Sequence, residues 1–316
     1  MDPTDIRTVR PSGNEYEVDS LAACIQAALA SWGRPVSYEC VAGLAGAAFS
    51  PALSETEHCA SWWMESCSDA RIEFLGHALG FAVQRSPNHR TGRAAPESFV
   101  QGARRAVQQG EIVLCASRPC WAIVTAWSDG SPRPALAGPG ASADRAEAGP
   151  QTPMYILRPA ERSLTLCEAL REAIRFGAAV AAGTHRAAGF AYGGRLYDAW
   201  LAQLGKEHFC PTCGEDGWKC AERTASRARD TQLAASAFLH QAKHLLPSLS
   251  GSNRVDKAAL TYAVMAGRLA PYVAGTGLNR VWSSPVRRAR YAQDVAEVRR
   301  LHHMAAEHLS LLACLV

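Results

Sequence analysis

The sequence predicts an α+β chain in two domains, a mixed helix–sheet domain over residues 1–160 and an all-helical domain over 161–316. Three observations carry this reading. An apolar helical stripe lies near the start, at residues 19–32. Runs of β-formers follow it, EIVLCAS, CWAIVTAW and MYILRP. Past residue 163 the strand signals stop, and the apolar residues step by three and four.

In DSLAACIQAALASW, Leu21, Cys24, Ile25, Ala28, Leu29 and Trp32 share one face, Asp19 or Ser20 is placed to cap, and Gly33 to stop the helix. A short helix from Ser37 to about Ala45 precedes the small-residue run GLAGAAF. Trp62 and Trp63 follow in a segment with no readable period. Residues 69–79 put Ile72, Leu75 and Leu79 on one side of a helix that Gly80 ends, and FAVQR reads as a strand. Pro96 opens the helix PESFVQGARRAVQQ, which Gly110 closes. After EIVLCAS and CWAIVTAW, the Pro-, Gly-, Ala- and Ser-rich stretch 128–152 reads as one long loop, and MYILRP returns to the same sheet.

The second half carries helical patterns from Leu164 to Val180 and from Phe190 to Leu204, the latter through Leu196, Tyr197, Trp200 and Leu201. Others run over about 222–246, 256–272 and 285–312. In the last, Tyr291, Val295, Val298, His302, Ala305, Leu309 and Leu312 alternate steps of four and three.

A net charge of +4 with scattered arginines argues against a nucleic-acid surface. No apolar run approaches the roughly 20 residues of a membrane helix, and the polar, acid-bearing N-terminus lacks a signal-peptide core. The expectation is a cytoplasmic protein. Its 11 cysteines are then free thiols, most of them packing as small hydrophobes.

Cys210, Cys213 and Cys220 stand apart, in the polar stretch HFCPTCGEDGWKC. Two thiolates two residues apart can face one cation, and Cys220 and His208 can complete the tetrahedron that structural zinc prefers. The competing readings are a polar loop with incidental cysteines and a redox CxxC. The i,i+4 pairs His240/His244 and His303/Glu307 are metal-capable in spacing, on helix faces expected to meet solvent.

The order of GRPVSYECVAGLAGAAF, GHALGF, GEIVLCAS and CWAIVTAWSDG resembles bacterial proteins whose domain is related to the bacteriocin-processing papain-like cysteine peptidases. It is also similar to the N-terminal domain of the butirosin biosynthesis acyltransferase. In the second half, FAYGGRLYDAWLAQL and SPVRRARYAQDVAEVRRLHHMAAEHLSLL are similar to helices of the same relatives. The resemblance implies a papain-like domain, with the first helix packed on an antiparallel sheet and Cys24 directed at the start of CWAIVTAW.

It also implies acyl or amide chemistry, with Cys24 as nucleophile and Asp129 as the orienting carboxylate. The histidine that should begin the strand is missing, because Cys120 and Trp121 stand there. The imidazole would then come from elsewhere, His77 first, then His58, with His89 a further candidate. Trp62, Trp63, Cys120 and Trp121 are the candidates to line a substrate site. For Cys24 itself, a buried inert thiol competes with a reactive one.

Two main functions follow. One is a cysteine-dependent acyl or amide transferase or hydrolase of bacterial specialised metabolism or peptide processing. The other is a catalytically degenerate protein that binds a small molecule or peptide on the same fold. A zinc-stabilised interaction module is the third. The partners expected are a small molecule, an acyl carrier or a peptide, with self-association left open.

Overall fold

The computed structural model describes residues 19–49, 53–54, 69–87, 95–117, 120–127, 134–138, 152–185, 190–205, 217–249, 251–273 and 284–316. The chain is mixed helix and sheet, and it clusters into two compact units. One comprises Met1–Val41 and Cys67–Thr165, the other Ala42–Ser66 and Leu166–Val316.

The first unit is built on a sheet of five antiparallel strands, β2 (Phe81–Arg85), β3 (Ile112–Ser117), β4 (Cys120–Ala126), β5 (Ala135–Ala137) and β6 (Met154–Pro159), in the order β2-β6-β3-β4-β5. The middle strands are apolar at nearly every position because both faces of the sheet are covered. Val113, Cys115, Val124, Met154 and Ile156 pack with Phe99, Ala103 and Ala106 of helix α4 (Glu97–Gln108). The alternate residues Leu114, Trp121, Ile123, Tyr155 and Leu157, all buried, belong to the face that helix α1 (Ser20–Ser31) covers by packing on β4. In register, Leu114 opposes both Ile123 and Tyr155.

Strand β5 lies inside the stretch that the sequence predicts as one long loop. It pairs with β4 at the sheet edge, through a register shift between Val124 and Ala126. A Cβ on the adjoining Gly138 would stand 2.9 Å from the Trp121 carbonyl oxygen, so only glycine allows this approach.

Helix α3 (Asp69–Leu79) leads into β2, and helix α2 (Tyr38–Ala45) follows α1. The expected stops fall in place, with Gly33 at φ 71, Gly80 at φ 84 and Gly110 at φ 79. Arg34 ties the β2 and β6 ends together, donating from Nη1 to the carbonyls of Gly80 (2.9 Å) and Ala160 (2.8 Å).

The second unit is a helical bundle of α5 (Leu166–Ala181), α6 (Gly194–Leu204), α7 (Gly217–Leu245), α8 (Asn253–Leu269) and α9 (Pro285–Ala313). A short antiparallel pair joins it, β1 (Leu53–Ser54) with β7 (Phe190–Ala191), where the sequence predicts no strands past residue 163. The GLAGAAF run belongs here. Phe49 meets Phe238 edge-on at 5.6 Å, and its carbonyl accepts from the Tyr262 hydroxyl at 3.2 Å. A Cβ at Gly43 would fall 2.1 Å from the Phe238 ring, which explains the small residue. No described helix is long and apolar enough to cross a membrane.

Candidate functional site

The resemblance directs attention to the first turn of α1 and the start of β4. Asp19 caps the helix, its Oδ1 accepting from the Ala22 N–H at 2.9 Å, and its own N–H donates to the Tyr38 hydroxyl at 2.8 Å. Ser20, the first helical residue, is wholly buried. Its Oγ accepts the backbone N–H of Trp121 at 3.0 Å, fastening the helix to the strand.

Trp121 is itself buried, with its ring 5.4 Å from that of Tyr155. The Tyr155 hydroxyl donates to Asp69 Oδ1 at 3.0 Å, and Asp69 Oδ2 stands 3.3 Å from Arg85. A polar and aromatic line therefore runs from Ser20 through Trp121 and Tyr155 to the acidic start of α3. One atom on it lacks a partner. The indole Nε1–H of Trp121 is buried and has no acceptor among the described residues.

Cys24 stands one turn beyond Ser20, so the two share the helix face toward β4. Its relative exposure is 0%. His77 sits in a different environment. Its Nδ1 is 2.6 Å from Ser163 Oγ at an exposed position, and its carbonyl accepts from the N–H groups of Ser163 and Leu164. It fastens the segment after β6 to α3. Cys120 opens β4, and its Cα opposes Ser117. Asp129, Trp62, Trp63, His58 and His89 lie outside the described residues.

Cys40 of α2 is a perturbed thiol. Burial raises its pKa to about 11, outweighing the lowering by Arg162, which makes it a poor thiolate. In the second unit, Cys167 Sγ donates to the Leu245 carbonyl and the exposed Cys314 to that of Ser310.

Of the proposed metal ligands, Cys220 is buried in the first turn of α7, whereas His208, Cys210 and Cys213 lie outside the described residues. His240, His244, His303 and Glu307 are exposed. Among the described residues no group of three or more His, Cys, Asp or Glu side chains could hold a metal ion.

Ser20, Tyr38, Asp69 and Tyr155 are absent from the residues that the sequence singles out for chemistry. Only Ser20 had a signal, as one of two candidate caps, and the cap is Asp19. No protein-family model matches the chain, and no curated protein matches it.

Proposed function

We propose that this chain is a catalytically degenerate papain-like protein of bacterial specialised metabolism or peptide processing, one that binds a small molecule or peptide rather than transforming it. The observation that carries this reading is the Ser20–Trp121 hydrogen bond. In a working enzyme of this fold, an exposed thiolate at the helix start would face an imidazole at the strand start. Here a serine hydroxyl receives a backbone N–H in that place. The thiol lies a turn deeper, without exposure, and Cys120 and Trp121 stand where the resemblance calls for the imidazole.

An indole N–H donates a hydrogen bond but cannot take up a proton, so it can anchor a ligand's acceptor and cannot serve as a general base. The buried, unsatisfied Nε1–H of Trp121 is the feature best suited to that anchoring. The second reading, acyl or amide chemistry at Cys24, draws on the thiol's place on the same helix face as Ser20.

Intact-mass analysis after incubation with an acyl thioester separates the two. No acyl adduct should form on wild type, Cys24→Ala or Ser20→Ala. An adduct that is present in wild type and absent from Cys24→Ala overturns the binding reading in favour of the enzyme.

A further inference from the structure

We infer that helix α8 is a docking seam for an acidic amphipathic helix of a partner protein. Helices α7 and α9 pack on α8, whose buried face includes Val255, Ala259, Tyr262, Met265 and Ala266. The opposite face is exposed at Asn253, Lys257, Leu260, Val264 and Gly267, which step by four, three, four and three. That is the spacing of a coiled-coil seam, turned away from this chain. Leu260 is 64% exposed and Val264 42%. Scattered apolar residues on a surface are ordinary, but these two lie one turn apart on one seam. Gly267 continues it, and a Cβ there would meet nothing within 4 Å. Packing inside the chain therefore does not require this glycine, which costs the helix about 1 kcal/mol relative to alanine. A bare backbone at that position lets a second helix approach closely.

Charge selects the partner. Asp256 is the one acid of α8, and Lys243 of α7 holds it at 2.6 Å. Arg254 and Lys257 are exposed at the same end of the helix, with no ion pair to any described residue. The helix N-terminus adds its own positive field there. The seam is thus cationic at its start, apolar at its middle and bare at Gly267. A helix with carboxylates beside a leucine seam complements it. A second copy of this chain does not. Laid parallel, it sets Arg254 and Lys257 against themselves. Laid antiparallel, it brings Arg268, whose neighbour Asp294 is already held by that arginine and the Tyr272 hydroxyl. This surface is independent of the Trp121 region, and the two stand or fall separately.

Fluorescence anisotropy on the full chain tests it, with two labelled helical peptides that carry leucine at a and d. One has glutamate at e and g, the other lysine. The glutamate peptide should bind at one site per chain, and the lysine peptide at least about tenfold more weakly, because like charges then face each other. Leu260→Glu should weaken the glutamate peptide by at least about tenfold, through the loss of one buried leucine contact. Its circular dichroism and melting temperature should stay near wild type, since the position is exposed. If Leu260→Glu unfolds, Leu260→Ala makes the same comparison. The double variant Arg254→Glu/Lys257→Glu should reverse the order of the two peptides. Failure of the glutamate peptide to bind, equal binding of both peptides, or undiminished binding in a folded Leu260 variant overturns the inference. So does a concentration-dependent dimer, seen by sedimentation, that Leu260→Glu abolishes, because it gives this face to a second copy.

Discussion

Ser20 Oγ accepts the Trp121 backbone N–H at 3.0 Å, and 101 residues of chain separate the two. Both residues are buried, so neither group has water as an alternative partner. Removal of the hydroxyl leaves a backbone donor unsatisfied in the core, which costs about 1–3 kcal/mol. Ser20→Ala should lower the unfolding free energy by that amount in urea titration, and Ser20→Thr should lose less. A loss below about 0.3 kcal/mol in Ser20→Ala would mean that the bond does not hold helix to strand.

The imidazole of His302 gives the helical unit a pH dependence. It is buried against Tyr197, and its Nε2 is 2.9 Å from the carbonyl of Ala181 at the end of α5. Burial, the largest cause, lowers its pKa to about 4, and the backbone bond to Ala181 opposes this. The unfolded chain therefore binds the proton more readily than the folded one. The stability from neutral His302 is fully present above about pH 6.5 and drains away as pH falls toward 4, at roughly 1.4 kcal/mol per pH unit. Urea titrations at pH 7.5, 5.5 and 4.5 should show a steeper acid loss in wild type than in His302→Gln. Parallel losses in the two proteins would contradict the assignment.

Close packing around Phe238 predicts a large effect from a small substitution. The added methyl of Gly43→Ala would overlap the Phe238 ring, which also meets Phe49. Overpacking of this kind costs about 1–3 kcal/mol. The double variant Gly43→Ala/Phe238→Leu should recover part of that loss. Strictly additive destabilisation in the cycle would show that the two side chains do not meet.

The zinc proposal has a direct readout. If His208, Cys210, Cys213 and Cys220 form a tetrahedral site, metal analysis should give about one zinc per chain. Cys213→Ser should release it and lower the melting temperature. Metal-free protein whose melting temperature ignores added zinc would rule the site out.

Helix 19–32, its cap at one of the two residues Asp19 and Ser20, and the stop glycines Gly33, Gly80 and Gly110 were legible because each is a local, periodic or conformational signal. The strands Ile112–Ser117, Cys120–Ala126 and Met154–Pro159 were legible from their unbroken β-formers. Strand Ala135–Ala137 was not. Alanines have little strand preference, and only the pairing with β4 holds them extended.

Helix α7 begins at Gly217, ahead of the predicted start near 222, and its successive residues Thr224, Ala225, Ser226, Arg227 and Ala228 are all buried. A helix surrounded on every side has no polar face to set its period. The Ser20–Trp121 contact left no trace either, because a single long-range hydroxyl bond has no spacing to read. What the sequence did show at that place was the substitution of Cys120 and Trp121 for the expected histidine.

The central claim, that Cys24 is an interior thiol and no nucleophile, is tested most directly by timed labelling with N-ethylmaleimide, read by peptide mass. The exposed Cys314 serves as the internal control, because Cys24 has 0% exposure in the same molecule. In native buffer Cys314 should label within minutes, and Cys24 only as fast as the unit opens, at a rate that rises with urea. Rapid labelling of Cys24 in native buffer, faster than Cys314 and persisting below the usual thiol pKa of about 8.5, would contradict the account.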